Sequence, residues 1–242
     1  MAGHSKWKNI REKKGKTDKQ RGKIFTKISR EIIVAVKEGG GSVPEHNARL
    51  KEAIAKARSA NVPNDNIRRV IEKASGGGDN ISYVSCTYEG YGPRGVAVIV
   101  HAMTDNRNRT AGEMRHYFDK YGGNLGTEGC VSWQFTRRAV LVIDPKTTNK
   151  DEDAVMLDAL ELGAEDMQTE GAYILYAPPD TLASMRDGLE QAGYTLLSAE
   201  VEMIPSEIVP LSEEKDVKNM EKLLDMLEDN DDVQNVYHNW RD

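Results

Sequence analysis

The 242-residue chain carries its charge in blocks, and that limits which parts of it can bury themselves. Residues 1–75 hold 19 Lys or Arg against 8 Asp or Glu, a net charge of +11, and residues 76–137 hold 6 of each. Residues 138–205 then hold 4 against 14, and residues 206–242 hold 4 against 11. Such polarity points to an anionic partner for the basic end, because a positive face gains affinity for phosphates by releasing their counterions. The acidic end would be repelled by the same partner. The alternative is internal, with the basic and acidic ends satisfying each other.

The first 23 residues contain only Trp7 and Ile10 as sizeable apolar side chains. They lie among Lys6, Lys8, Arg11, Lys13, Lys14, Lys16, Lys19, Arg21 and Lys23, so this stretch cannot form a core of its own and is expected to order only against a counter-charged surface. From Ile24 the pattern becomes helical. Ile24, Ile28, Ile32 and Ala35/Val36 share one face, while Lys23, Lys27, Arg30 and Lys37 share another. Gly39-Gly40-Gly41 ends that helix. Pro44 and Glu45 open a second with Leu50, Ile54 and Ala57, and Pro63-Asn64-Asp65 stops it and caps a third with Ile67, Val70 and Ile71. Gly76-Gly77-Gly78 forms a flexible join.

Beyond Asp79 the period becomes two. Strands are expected at 84–89 and 95–103, joined by the turn Gly90-Tyr91-Gly92-Pro93-Arg94. A helix from about Arg107 to Tyr121 follows, capped by Thr104 or Asp105, and then a strand at 131–135. Residues 139–203 read strand, helix, strand, strand, helix, strand, which is the ferredoxin-like order. A helix at 212–228 and a strand at 233–237 are too little for a domain but supply what residues 79–136 lack. The predicted fold class is therefore α+β, an N-terminal helical domain (1–78) followed by two ferredoxin-like α+β domains. One of these (137–205, acidic) is inserted in the other (79–136 with 206–242).

The candidate nucleic-acid contacts are Lys6, Lys8, Arg11, Lys13, Lys14, Lys16, Lys19, Arg21, Lys23, Lys27 and Arg30, with Trp7 either stacking on an exposed base or docking on the helical domain. Arg107 and Arg109 lie in Thr104-Asp-Asn-Arg-Asn-Arg-Thr110, at a strand end leading into a helix N-terminus, where two arginines could grip an anion. The plainer reading there is a helix cap with exposed arginines. Other chemistry finds no support. Neither glycine triplet fits a phosphate loop, the histidines form no i, i+4 pair, and no nucleophile motif is present. Cys86 and Cys130 read as reduced thiols in strands, and the acidic run 228–232 reads as a solvated surface without cation-binding spacing. No catalytic residue, metal, cofactor or small-molecule substrate is expected. No apolar run exceeds six residues, far short of the roughly 20 that span a membrane, and no apolar leader follows the basic start, so the expected location is cytoplasmic.

Several stretches together resemble one family: Met1-Ala-Gly-His-Ser-Lys-Trp-Lys-Asn-Ile10, Lys23-Ile-Phe-Thr-Lys27, Asn61-Val-Pro-Asn-Asp-Asn66, Tyr88-Glu-Gly-Tyr-Gly-Pro93, Thr104-Asp-Asn-Arg-Asn-Arg-Thr110 and Gly122-Gly-Asn-Leu-Gly126. The chain is similar to the YebC family over essentially its whole length, with Arg94 standing where that family's turn carries glycine. The resemblance implies a three-domain cytosolic protein without enzymatic activity. Bacterial members are described as probable transcriptional regulators that bind DNA, mitochondrial members as translational activators, and bacterial ones are also linked to translation through proline-rich stretches. The expectation is thus a monomeric nucleic-acid-binding factor acting on ribosomal RNA at the ribosome, with a duplex-DNA-binding transcriptional regulator as the alternative.

Overall fold

The structure, a computed structural model, describes residues 18–76, 82–169 and 171–241, with side chains from Gly22 onward. Three helices come first: α1 (Asp18–Glu38), α2 (Ala48–Ser59) and α3 (Asn64–Ser75). The apolar stripe expected on α1 is its buried face, where Ile28, Ile32, Ala35 and Val36 pack with Leu50, Ala53 and Ala57 of α2 and Ile67 of α3. The glycine run ends α1 for two reasons. Gly40 and Gly41 take φ of +103° and +108°, and a Cβ on Gly39 would lie 2.5 Å from both the Ala35 carbonyl and Asn47 Oδ1.

The second helix opens later than Pro44-Glu45. Those residues form a single tight turn, Pro44–His46, and Asn47 is the cap. Asn47 is buried; its Oδ1 accepts from Leu50 N at 2.9 Å, while its Nδ2 donates to the carbonyls of Ala35 (2.7 Å) and Gly41 (2.8 Å). One side chain thereby starts α2 and binds the end of α1. At the start of α3, Pro63 occupies the cap position without a side-chain hydrogen bond.

Strands β1 (Val84–Tyr91) and β2 (Ala97–Thr104) pair antiparallel, and α4 (Arg107–Lys120) follows. The cap of α4 is Asn106, not Thr104 or Asp105: its Oδ1 accepts from Arg109 N at 3.0 Å. The expected strand at 131–135 is absent. Instead a two-residue strand, β3 (Asn124–Leu125), pairs with Gly90 and Tyr91, and residues 126–134 form a loop ending in the tight turn Ser132–Gln134. The cause is Glu89, 3% exposed. Its carboxylate accepts from the amides of Gly129 (3.0 Å), Val131 (2.9 Å) and Ser132 (2.9 Å), which a strand would have given to a neighbour. Cys130 consequently lies in this loop and only Cys86 is in a strand; both thiols are free.

The chain then builds β4 (Phe135–Ile143), α5 (Glu152–Glu161), β5 (Asp166–Gln168), β6 (Tyr173–Ala177), α6 (Leu182–Gln191) and β7 (Leu196–Pro205). These strands form one antiparallel sheet in the order β5-β6-β4-β7, the ferredoxin-like arrangement. Leu141, Ile143 and Leu175 face Val155 of α5 and Met185 and Leu189 of α6, while Val140, Val142, Ile174 and Tyr176 form a smaller cluster of their own. After it come β8 (Val209–Pro210), α7 (Glu214–Asp229), β9 (Val233–His238) and β10 (Trp240–Arg241). Strand β9 adds to β2 and completes a second sheet, β3-β1-β2-β9. Val96, Val98 and Val100 pack there against Met114 and Phe118 of α4 and Met220, Leu223 and Leu227 of α7.

The fold is thus α+β with an N-terminal helical region and antiparallel sheets. Phe135–Ser206 forms one compact unit, and the described residues before it and after it form the other. Within the latter, Arg94 takes a φ of +56° in the β1–β2 turn and bonds Asp216 of α7 (2.6 Å) and Glu213, the residue just before that helix. Replacing Asn47 with alanine should cost about 2–3 kcal/mol, since it removes a helix cap and the two hydrogen bonds that tie the start of α2 to the Ala35 and Gly41 carbonyls. Urea unfolding of the two proteins would show it as a lower midpoint with an unchanged slope.

Candidate nucleic-acid interface

Of the basic residues read as phosphate contacts, Lys6, Lys8, Arg11, Lys13, Lys14 and Lys16, together with Trp7, lie outside the described residues. Lys19 and Arg21 belong to α1, but their side chains are also outside the description. The remaining five are placed. Lys23, Lys27, Arg30 and Arg109 converge on one target, the end of α7 and the turn after it, Glu228 to Asp232.

This turn corrects the reading of the acidic run as solvated surface at one residue, Asp232, while Glu228, Asp229 and Asp231 are exposed. Lys27 Nζ donates to the Glu228 carbonyl at 2.7 Å, and Lys23 Nζ to the Asp229 carbonyl at 3.2 Å and to its carboxylate. A helix ends with carbonyls that lack amide partners and with a partial negative charge, and α7 has no basic residue in its own last turn. The two lysines of α1 supply the cations that α7 lacks. One turn further along α1, Arg30 Nη1 donates to Asp232 Oδ1 (2.5 Å) and to the carbonyls of Asp231 (2.7 Å) and Met103 (3.3 Å), and its guanidinium lies 5.1 Å from the Tyr83 ring centre.

Asp232 is 4% exposed, and both its oxygens are used. Oδ2 accepts from Arg109 Nη2 (2.6 Å) and from the Thr110 hydroxyl (2.7 Å), and Arg109 also reaches Asp105 Oδ1 (2.9 Å) and Thr104 Oγ1 (3.1 Å). Burial, the largest single influence on the Asp232 carboxyl, pushes its pKa up. Hydrogen bonds from Arg109, Thr110 and Arg30, with a contribution from Thr104, outweigh it and hold the pKa at about 2. Those same bonds to Asp232 and Asp105 hold the Arg109 guanidinium more firmly protonated than usual. Arg109 therefore pairs with carboxylates of the chain itself, and the motif is the plainer arrangement, a helix cap with exposed arginines. Arg107, two residues earlier, is exposed, and its carbonyl accepts from the Tyr88 hydroxyl at 3.4 Å.

The site thus contains a residue that sequence reasoning missed. Asp232 stood in a run of acidic side chains with nothing to single it out, and its partners Arg30 and Arg109 are 202 and 123 positions away. Glu89 was missed in the same way. Burial pushes its carboxyl up, but the amides of Gly129, Val131 and Ser132 reverse that and lower it, so it is an ionised anchor for the loop. Among the described residues no group of three His, Cys, Asp or Glu side chains is arranged to hold a metal, and no helix is long and apolar enough to cross a membrane.

A basic helical region joined to a discontinuous α+β sheet, with a ferredoxin-like unit inserted, defines an architectural class, and the comparisons identify it. A family model described as "TACO1/YebC protein N-terminal domain" matches residues 5–77, and one described as "TACO1/YebC second and third domain" matches residues 83–240. The chain belongs to the TACO1/YebC family. It is 56% identical over 241 residues to a protein of Acetivibrio thermocellus, covering 99% of each chain, and 56% identical over 243 residues to one of Caldicellulosiruptor bescii, covering 100% of this chain and 99% of that one. Both relatives are named "Probable transcriptional regulatory protein". The fold is also that of a crystal structure of a conserved hypothetical protein from Aquifex aeolicus, with a TM-score of 0.83, 44% identity and coverage of 93% and 92% of the two chains.

Because the folded state holds the Asp232 carboxyl at about 2 against an ordinary 3.8, the stability it contributes is complete above about pH 4 and is lost as pH falls through 2. Asp232→Asn should flatten that part of the acid-unfolding curve. At pH 7 it should cost about 2–4 kcal/mol, since it leaves Arg30 and Arg109 buried or half-buried against a neutral group. Thermal melts of both proteins between pH 2 and 7 measure both effects.

Proposed function

We propose that this chain is a non-enzymatic, nucleic-acid-binding regulator of gene expression that works on the ribosome, as a translational activator helping synthesis through proline-rich stretches. The observation that supports it is the charge left over. The acidic turn offers the basic region two carboxylates, Asp229 and Asp232, whereas residues 1–75 carry a net +11. A polyanion with regularly spaced phosphates complements a basic block of that size. Lys6, Trp7, Lys8, Arg11, Lys13, Lys14, Lys16, Lys19 and Arg21 make the first contacts, and Arg107 stands exposed at the start of α4. The chain works as a cytoplasmic monomer of three domains (1–78, 79–136 with 206–242, and 137–205) and uses no cofactor.

The second reading, a DNA-binding transcriptional regulator, has the relatives' names in its favour. The geometry of α2 and α3 speaks against a DNA-reading helix. Asp65 lies in the first turn of α3, where such a helix meets phosphates, and Arg68 is turned back onto Asp65 (3.1 Å) and Glu72 (3.8 Å).

Titration of the full-length protein against ribosomes, random duplex DNA and genomic fragments at one fixed salt concentration separates the two. A translation factor keeps its ribosome affinity where duplex DNA no longer competes, while a transcriptional regulator prefers one duplex sequence over random DNA by about a thousandfold. Selection of a discrete duplex with indifference to ribosomes overturns the first reading. Changing Lys13, Lys14, Lys16 and Lys19 to Glu should weaken ribosome binding and reduce its salt slope by about one for each phosphate that is no longer neutralised. An unchanged slope removes those residues from the interface.

A further inference from the structure

The lysines of α1 face a choice of anions. Lys23 and Lys27 lie one turn apart on the helix, and each donates to the end of α7. The two halves of that contact differ in exposure. On the Arg30 side it is closed, with side-chain exposures of 15% for Arg30 and 5% for Asp232. At the other end it is open, since the Asp229 side chain is 72% exposed and that of Lys23 is 28% exposed. A screened, exposed ion pair is worth little, whereas removing one partner from a buried pair costs several times as much. The contact therefore has a fixed end at Asp232 and a labile end at Asp229.

We propose that the Glu228–Asp229 end of α7 is a built-in occupant of a phosphate site on α1, and that an RNA backbone phosphate displaces it to reach Lys23 and Lys27, a role that rests on the nucleic-acid-binding reading given above. A carboxylate beside two helix-terminal carbonyls presents anionic oxygens to the lysine ammonium groups, as a phosphodiester does. Arg30 stays on Asp232 and keeps α1 attached while its half-buried lysines change partner. The acidic turn thus lowers affinity for weak polyanions and yields to a ligand that delivers several phosphates at once.

The test is binding of a fluorescein-labelled 20-nucleotide single-stranded RNA to the full-length protein at low salt, with a duplex DNA of equal length as a parallel arm. Asp229→Asn, nearly isosteric at an exposed position, should bind RNA about threefold more tightly, the worth of one exposed ion pair. Glu221→Gln on the same helix changes net charge equally without touching α1 and should do much less. In a Lys23→Gln, Lys27→Gln background the gain from Asp229→Asn should vanish, and adding RNA to the wild type should speed amide exchange in peptides covering 228–232. If wild type binds RNA but Asp229→Asn matches wild type or Glu221→Gln, the turn is only a helix cap and the inference fails while the functional reading stands. If wild type binds neither RNA nor DNA, both fail. A gain confined to the DNA arm overturns RNA as the occupant.

Discussion

The Asp232 carboxylate is the point on which three separate stretches of chain depend. It receives Arg30 from α1 and Arg109 and Thr110 from α4, and it sits in the turn that leads the returning chain into β9. A buried carboxylate costs several kcal/mol of lost hydration, recovered only when all of its oxygen positions are bonded in good geometry. Here two guanidinium groups and a hydroxyl satisfy both oxygens, and the main chain takes part as well: Met103 N donates to the Asp232 carbonyl at 2.7 Å, and Asp232 N to Asn230 Oδ1 at 2.9 Å. Without the carboxylate, Arg30 and Thr110 would each lose a charged partner in a largely closed setting, and Arg109 would keep only Asp105 and Thr104. The arrangement therefore favours all-or-none assembly of α1, α4 and the turn into β9 over piecemeal docking.

The parts of the fold legible in the sequence are those with a local cause. The stripe Ile28, Ile32, Ala35 and Val36 repeats at the helical period and is buried as the period demands. Short apolar runs such as Ala139 to Ile143 dictate strands, and the strand–helix order of residues 139–203 leads to the ferredoxin-like sheet. The parts not legible have a distant cause. The run from Val131 to Phe135 has the composition of a strand, but Glu89, some 40 positions earlier, draws off its amides. Pro44 and Glu45 look like a helix start, but Asn47 fits the glycine turn and the Ala35 carbonyl as well as Leu50, so the cap falls three residues later.

The candidate site was legible in its composition and not in its geometry. Charge counting located the basic helix and the arginines of Thr104 to Thr110, and it offered two destinations for them, an external polyanion or the acidic end of the same chain. The described side chains show the second, and the proposed function adds the first. Lys23, Lys27, Arg30 and Arg109 have internal partners, while Arg107 is exposed and the chain's +11 block far exceeds two carboxylates. The inserted unit could not supply the difference through an RNA-binding sheet of its own, because its segment 138–205 carries 14 acidic residues against 4 basic ones.

The internal pairing also changes what salt should do to binding. A free lysine that meets a phosphate releases one condensed counterion and gives close to a full unit of salt slope. A lysine that leaves a carboxylate to meet a phosphate exchanges one screened ion pair for another, and the bared carboxylate gathers a counterion of its own. Lys23 next to Asp229 is such a case, so on the proposed reading its contact with a phosphate would add little to the slope. The salt sensitivity of binding therefore falls on basic residues without an acidic partner in the fold. A slope smaller than the number of basic residues at the interface follows from the pairing alone, with every one of those residues still touching the nucleic acid.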